Sequence, residues 1–205
     1  MEIEKKLKVT ISNGNDKMGR IPSFSLPPVL TCSHCEACSK KCYALRLAKL
    51  RKTVAQSWLD NLEIWQKNPK AVELAIKNTA VTSSVFRYFV GGDIPDAQFL
   101  KMMVKTAKEF KNCTFLAFTK KHELINAYLY DGGRLPKNLK IIMSGWGEDL
   151  KPFNPFNLPT SDVIFKGQEI PQNAKICDGD CTACKSRGIG CWVLKKGEKI
   201  YFLEH

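Results

Sequence analysis

Val85-Phe86-Arg87-Tyr88-Phe89-Val90-Gly91-Gly92 is the stretch on which the fold turns. Its β-branched and aromatic run reads as a strand, and the glycine pair breaks it. Downstream, Asp96 stands where an N-cap belongs, ahead of a helix that carries Phe99, Met102, Met103 and Phe110 on one side. Residues 114–119 then read as a second strand, 122–130 as a helix, 139–144 as a third strand and 162–165 as a fourth. Upstream, Leu47, Leu50, Val54, Trp58, Leu62 and Trp65 recur at helical spacing, which predicts one long helix over 43–66. Asn68-Pro69 ends it, because the residue before a proline is pushed out of helical geometry. A shorter helix is expected over 69–77, and residues 8–30, rich in Asn, Gly, Ser and Pro, read as turns and extended chain.

Strands alternating with helices of these lengths imply right-handed βαβ units and a mainly parallel sheet. The expected class is α/β, either a partial (βα) barrel or an open mainly parallel sheet. Strand C-termini then share one edge, where ligands tend to bind. That edge would gather residues 91–93, 119–121 and 144–146. A single domain is expected over 1–205: an extended segment with a first cysteine cluster at 1–42, a βα core at 43–170 and a second cluster within 171–205.

The chain of 205 residues can bury a core without disulfide staples. Its N-terminus lacks the apolar region of a signal peptide, and no run of about 18 apolar residues occurs. A cytoplasmic protein with no membrane partner is expected. Nine cysteines in a reducing compartment point to metal or catalysis rather than disulfides. Cys113, alone within an apolar run, reads as a buried core thiol.

The other eight fall into two sets of four, Cys32-x2-Cys35-x2-Cys38-x3-Cys42 and Cys177-x3-Cys181-x2-Cys184-x6-Cys191. Short loops between thiolates suit the corners of a cubane, and the first spacing agrees with the bacterial ferredoxin run. One or two [4Fe-4S] clusters are therefore expected at the N- and C-terminal cysteine segments, with zinc as the alternative. Ligands can be exchanged between sets, with Cys42 serving the second and Cys191 the first.

The formal charge of +12 suggests a polyanionic partner such as nucleic acid. Its densest patch is Lys40, Lys41, Arg46, Lys49, Arg51 and Lys52. Asp93 and Glu148, at strand ends, are candidate acid/base groups, and Asp93, Lys120 and Trp146 would border a substrate pocket. Asp93 and Lys120 are the candidate catalytic pair, with a reductant protein as the partner of a redox enzyme.

At the cysteines and at Val90-Gly91-Gly92-Asp93 the chain resembles radical S-adenosylmethionine enzymes. The resemblance implies that Gly91, Gly92 and Asp93 hold the amino group of S-adenosylmethionine. The chain is more similar to the phage family known as gene product eighty-eight. The residues that carry this likeness are Asn15-Asp-Lys17, Phe24-Ser-Leu-Pro27, Thr31-Cys32, Cys38-x3-Cys42-Tyr-Ala44, Gly91-Gly-Asp93 and Cys191-Trp192. It implies a viral or prophage origin, a place in the host cytosol and an iron-sulfur scaffold.

Overall fold

A computed structural model describes residues 7–16 and 18–204, with the side chain of Cys35 outside the described residues. The strands are β1 (Ile11–Ser12), β2 (Ser23–Phe24), β3 (Val85–Tyr88), β4 (Thr114–Thr119), β5 (Leu139–Ser144), β6 (Thr160–Ile164), β7 (Lys175–Ile176) and β8 (Lys199–Leu203). The helices are α1 (Cys35–Cys38), α2 (Tyr43–Leu50), α3 (Lys52–Lys67), α4 (Pro69–Thr82), α5 (Ala97–Glu109), α6 (His122–Tyr130) and α7 (Cys181–Arg187). The strands form one open sheet in the order β1-β2-β3-β4-β5-β6-β8-β7, parallel at every pairing except β1 with β2. From β2 to β6 the order is that of the sequence, which suits successive crossovers of one hand. Among the described residues no helix is long and apolar enough to cross a membrane.

Both faces of the central strands are covered, which explains why β4 and β5 read as nearly continuous apolar runs. Successive side chains of a strand point to opposite faces. Phe86, Tyr88, Phe115, Ala117, Ile141 and Met143 enter one core, where they meet Val72 and Ile76 of α4, Phe99 and Met103 of α5 and Ile125 of α6. Val85, Leu116, Ile142 and Ile200 enter a second core with Met18, Ile21, Trp192 and Leu194. Aromatic contacts knit the helical side: Trp65 meets Phe99 edge-on at 4.6 Å, and Tyr88 stacks on Phe115 at 5.9 Å. Each fully buried ring of this kind contributes about 1.5–3 kcal/mol from the area it removes from water.

The expected strands over 114–119 and 139–144 and the helix over 122–130 occur with those bounds. Cys113 is buried, and burial pushes its thiol up to about 12. Other expectations need correction. The long helix is two, α2 and α3, because Arg51 leaves helical geometry at φ −121° and ψ 85°. Leu50, which the periodic stripe would bury, is 73% exposed at that break. Helix α4 runs to Thr82, since Ile76 and Ala80, one turn apart, are both buried. Strand β3 stops at Tyr88, because Phe89 turns left-handed at φ 59°. That turn puts the Phe89 and Tyr88 rings into the same core, where Phe89 lies 5.4 Å from Phe99. Strand β6 starts two residues ahead of the expected 162, where Thr160 and Ser161 pair with Met143 and Ser144. The extended segment expected through residue 42 contains β1, β2 and the short helix α1.

Asp96 caps α5 by accepting a hydrogen bond from the Phe99 amide at 2.8 Å. Its other oxygen accepts from the buried Trp65 indole at 2.7 Å. Asp96→Ala should therefore destabilise the protein by about 2 kcal/mol, half from the cap and half from the orphaned indole. Asp96→Asn, with one carbonyl oxygen, should recover the cap alone. Urea denaturation of the three proteins reads both steps; equal stability of the Ala variant and the parent would show that neither bond matters.

Candidate functional site

The sheet face turned away from α4 and α5 forms the floor of a cavity of about 1060 Å³. Arg87 of β3, Phe118 of β4, Ser144 of β5, Ser161 of β6 and Phe202 of β8 supply that floor. Cys32, Cys38 and Cys42 line the cavity from the N-terminal segment, and Cys177, Cys181, Cys184 and Cys191 from the C-terminal one. Two sets separated by the whole βα core thus meet at one place.

Local structure explains how each set is held. Buried Thr31 donates its hydroxyl to the Pro27 carbonyl at 2.9 Å and accepts from the Asp93 amide at 3.1 Å, anchoring Cys32 beside the β3 rim. Tyr43, next to Cys42, donates its hydroxyl to the Val90 carbonyl. On the other side, the Cys177 amide donates to Tyr201 of β8 at 2.8 Å, and Asp180 caps α7 by accepting from Ala183 at 2.8 Å. Thr182 donates to the Met18 carbonyl at 3.1 Å, pinning α7 against the Met18-Gly19 turn. Gly190, at φ 66°, brings its loop so close to Cys184 that an added Cβ would lie 3.0 Å from the sulfur.

The C-terminal thiols share one apolar cluster with Met18, Trp192 and Leu194. Burial there pushes Cys191 up to about 12, reinforced by Cys177 and by Cys181 and Cys184, with Arg87 pulling the other way. Cys184 rises to about 11, first through burial and then through the hydrogen bond its thiol donates to Asp178 at 3.4 Å. Among the described residues, no three Cys, His, Asp or Glu side chains form a ready-made cage for one ion. The terminal segments gather thiols around the cavity.

The strand-end rim assembles as the sequence suggests, with a different emphasis. Gly92, Asp93, Lys120 and Trp146 line the cavity, and Gly91 does not. An added Cβ at Gly91 would come within 2.7 Å of Trp58, and one at Gly92, where φ is 78°, within 2.6 Å of the Leu26 carbonyl. Both glycines therefore answer to packing inside the protein. Asp93 is buried, and its two oxygens accept from the Ile94 amide at 2.7 Å and the Lys120 amide at 2.8 Å. Burial raises its pKa above the usual carboxylate value, against the hydrogen bonds from Thr119, Lys120 and Ile94. The Lys120 ammonium lies 5.6 Å from the Trp146 ring centre. Glu148 is exposed and paired with Lys151 at 2.6 Å, and it does not line the cavity.

Sequence reasoning missed two features. Arg87 points to the cavity from inside an aromatic strand; its one signal was a cation in a run that is otherwise apolar. His34 and His122, far apart in the chain, stack at 6.3 Å, and His122 bonds the Ser144 carbonyl through Nε2 at 2.9 Å.

A family model described as Gene product 88 matches residues 2–199. The chain belongs to this phage family. No curated protein and no solved structure matches it. The comparisons lend no support to the resemblance to radical S-adenosylmethionine enzymes. For this Gene product 88 protein the family match thus covers both cysteine segments.

With both oxygens engaged by backbone amides, Asp93 should matter to the fold itself. Asp93→Asn places an amide donor against one of those N–H groups and should cost about 2–4 kcal/mol in urea denaturation. An Asn variant as stable as the parent would mean that the carboxylate does not brace the rim.

Proposed function

We propose that this protein is an iron-sulfur protein that carries redox chemistry in the cavity over the open face of its sheet. One observation carries the reading: cysteines from both ends of the chain converge on a cavity large enough to hold more than metal. The donor chemistry supports such a group, since clustered cysteines with apolar neighbours, which lose their protons on binding metal, are the ordinary setting of iron-sulfur ligation. Cys32, Cys35, Cys38 and Cys42 would hold one cluster, and Cys177, Cys181, Cys184 and Cys191 a second. When bound, a cluster of this kind supplies one-electron transfer.

The chain's own residues then have separable tasks. Met18, Trp192 and Leu194 back the C-terminal thiols with apolar surface. Asp93 holds the β3 and β4 rims together, and Lys120 with Trp146 offers a cation and an aromatic face to a substrate at the mouth. Protein purified without oxygen from iron-replete cells should be brown, with iron and acid-labile sulfide approaching two cubanes per chain. Cys184→Ser should deplete one cluster, and Cys113→Ser should leave iron unchanged. Colourless protein with stoichiometric zinc and no sulfide would replace the redox reading with a structural one.

A second reading, nucleic-acid binding, is favoured by the exposed cations beside the mouth. Lys40, Arg46, Lys49, Arg51 and Lys52 are all exposed, and the neighbouring Lys41 pairs with Glu204. Affinity for duplex DNA or RNA should then fall steeply with salt, and the double variant Lys49→Glu and Lys52→Glu should flatten that slope. Binding that ignores salt, or none, removes this reading.

A further inference from the structure

Arg87 lines the cavity with no ion-pair partner among the described residues. Its Nε is buried with no hydrogen-bond partner. Its remaining contacts are weak: Nη1 donates to the Met18 sulfur at 3.6 Å, and the guanidinium lies 5.2 Å from the Phe118 ring centre. The side chain is partly withdrawn from water with no opposite charge to offset that withdrawal. Two other cavity cations are paired, Lys41 with Glu204 and Lys175 with Glu198. Arg87 is therefore placed to meet an anion.

The neighbourhood says which anion. Arg87 meets the Met18 side chain and the Phe118 ring, and both belong to the apolar cluster that contains Cys177, Cys181, Cys184 and Cys191. Four thiolates around a cubane in its ordinary oxidised state, or around one zinc ion, make a unit of net charge minus two. We propose that Arg87 is the counter-charge of a thiolate–metal centre held by the C-terminal cysteines. This rests on the iron-sulfur reading given above. As a positioning residue it would contribute in two ways: it offsets the negative charge of the loaded site, and it favours the reduced cluster, which carries one more electron.

The test compares the parent protein with Arg87→Gln, Arg87→Lys and Arg87→Met, all purified anaerobically. Arg87→Met keeps a long apolar stem against Phe118 and guards against a variant that merely fails to fold. Two quantities are read: the rate at which a chelator strips metal from the C-terminal site, and the midpoint potential in a dithionite titration followed optically. Arg87→Gln and Arg87→Met should lose metal about tenfold to a hundredfold faster than the parent. Their midpoint should move to more negative potential, and Arg87→Lys should restore most of both. Folded variants with the parent's metal retention and potential would overturn the role of Arg87 while leaving the iron-sulfur reading intact. A parent protein without metal would sink that reading, and this inference with it.

Discussion

Burial of both faces of β3, β4 and β5 is the constraint from which the rest of the molecule follows. Strand side chains alternate with a period of two, so each core is fixed by the same register. Arg87 pairs with Leu116, and Phe118 with Ile142; the neighbours Phe86, Phe115 and Ile141 point the other way. A slip of one residue would drive Arg87 into the helical core and lift Phe115 into the cavity. The helical side therefore does more than stabilise. By accepting Phe86, Tyr88, Phe115 and Ala117, it decides which side chains are left for the cavity floor.

A small set of polar bonds transmits that order to the rim. Thr31 links the first cysteine loop to Asp93, and Asp93 links the β3 rim to Lys120 after β4. Burial outweighs the hydrogen bonds in setting the Asp93 pKa, so the carboxylate is less favourably placed here than in water. It is tolerated because its amide donors would otherwise be buried without an acceptor. Rim geometry and cysteine placement are thus coupled through one side chain.

Much of this was legible in the sequence, and the exceptions have physical causes. Strands β4 and β5 and helix α6 announced themselves because local pattern and tertiary burial agree there. Phe89 did not, since its left-handed turn is imposed by the need to bury two consecutive rings on one side. The break at Arg51 was hidden by apolar spacing that continues across it. At the site, the two cysteine sets were plain as sets. Their meeting was not, because it depends on β8 pairing with β6 and β7, a contact with no local signature. Arg87 stayed hidden for the opposite reason: its local signature is ordinary, and it becomes informative through a buried Nε with no hydrogen-bond partner among the described residues.

If the cysteines ligate metal as proposed, the division of thiols between the two sets would bear on what metal does to the fold. Tyr43 lines the cavity that both sets reach: about half of it is exposed, and burial of its phenol raises its pKa against the pull of Arg87, with Cys42 and Cys32 of one set and Cys181 of the other adding to the rise. The two sets are therefore within electrostatic reach of one phenol. If each kept its own four thiolates, metal would order two local loops. If Cys42 and Cys191 changed places, the same metal would also tie the N-terminal segment to the C-terminal one across the βα core. The entropy of closing a loop grows only slowly with its length, so the second arrangement would restrain the unfolded chain only modestly more per crossing than the first. What it would add is position: both segments would be held over the floor at once, so loss of either set would loosen the cavity as a whole.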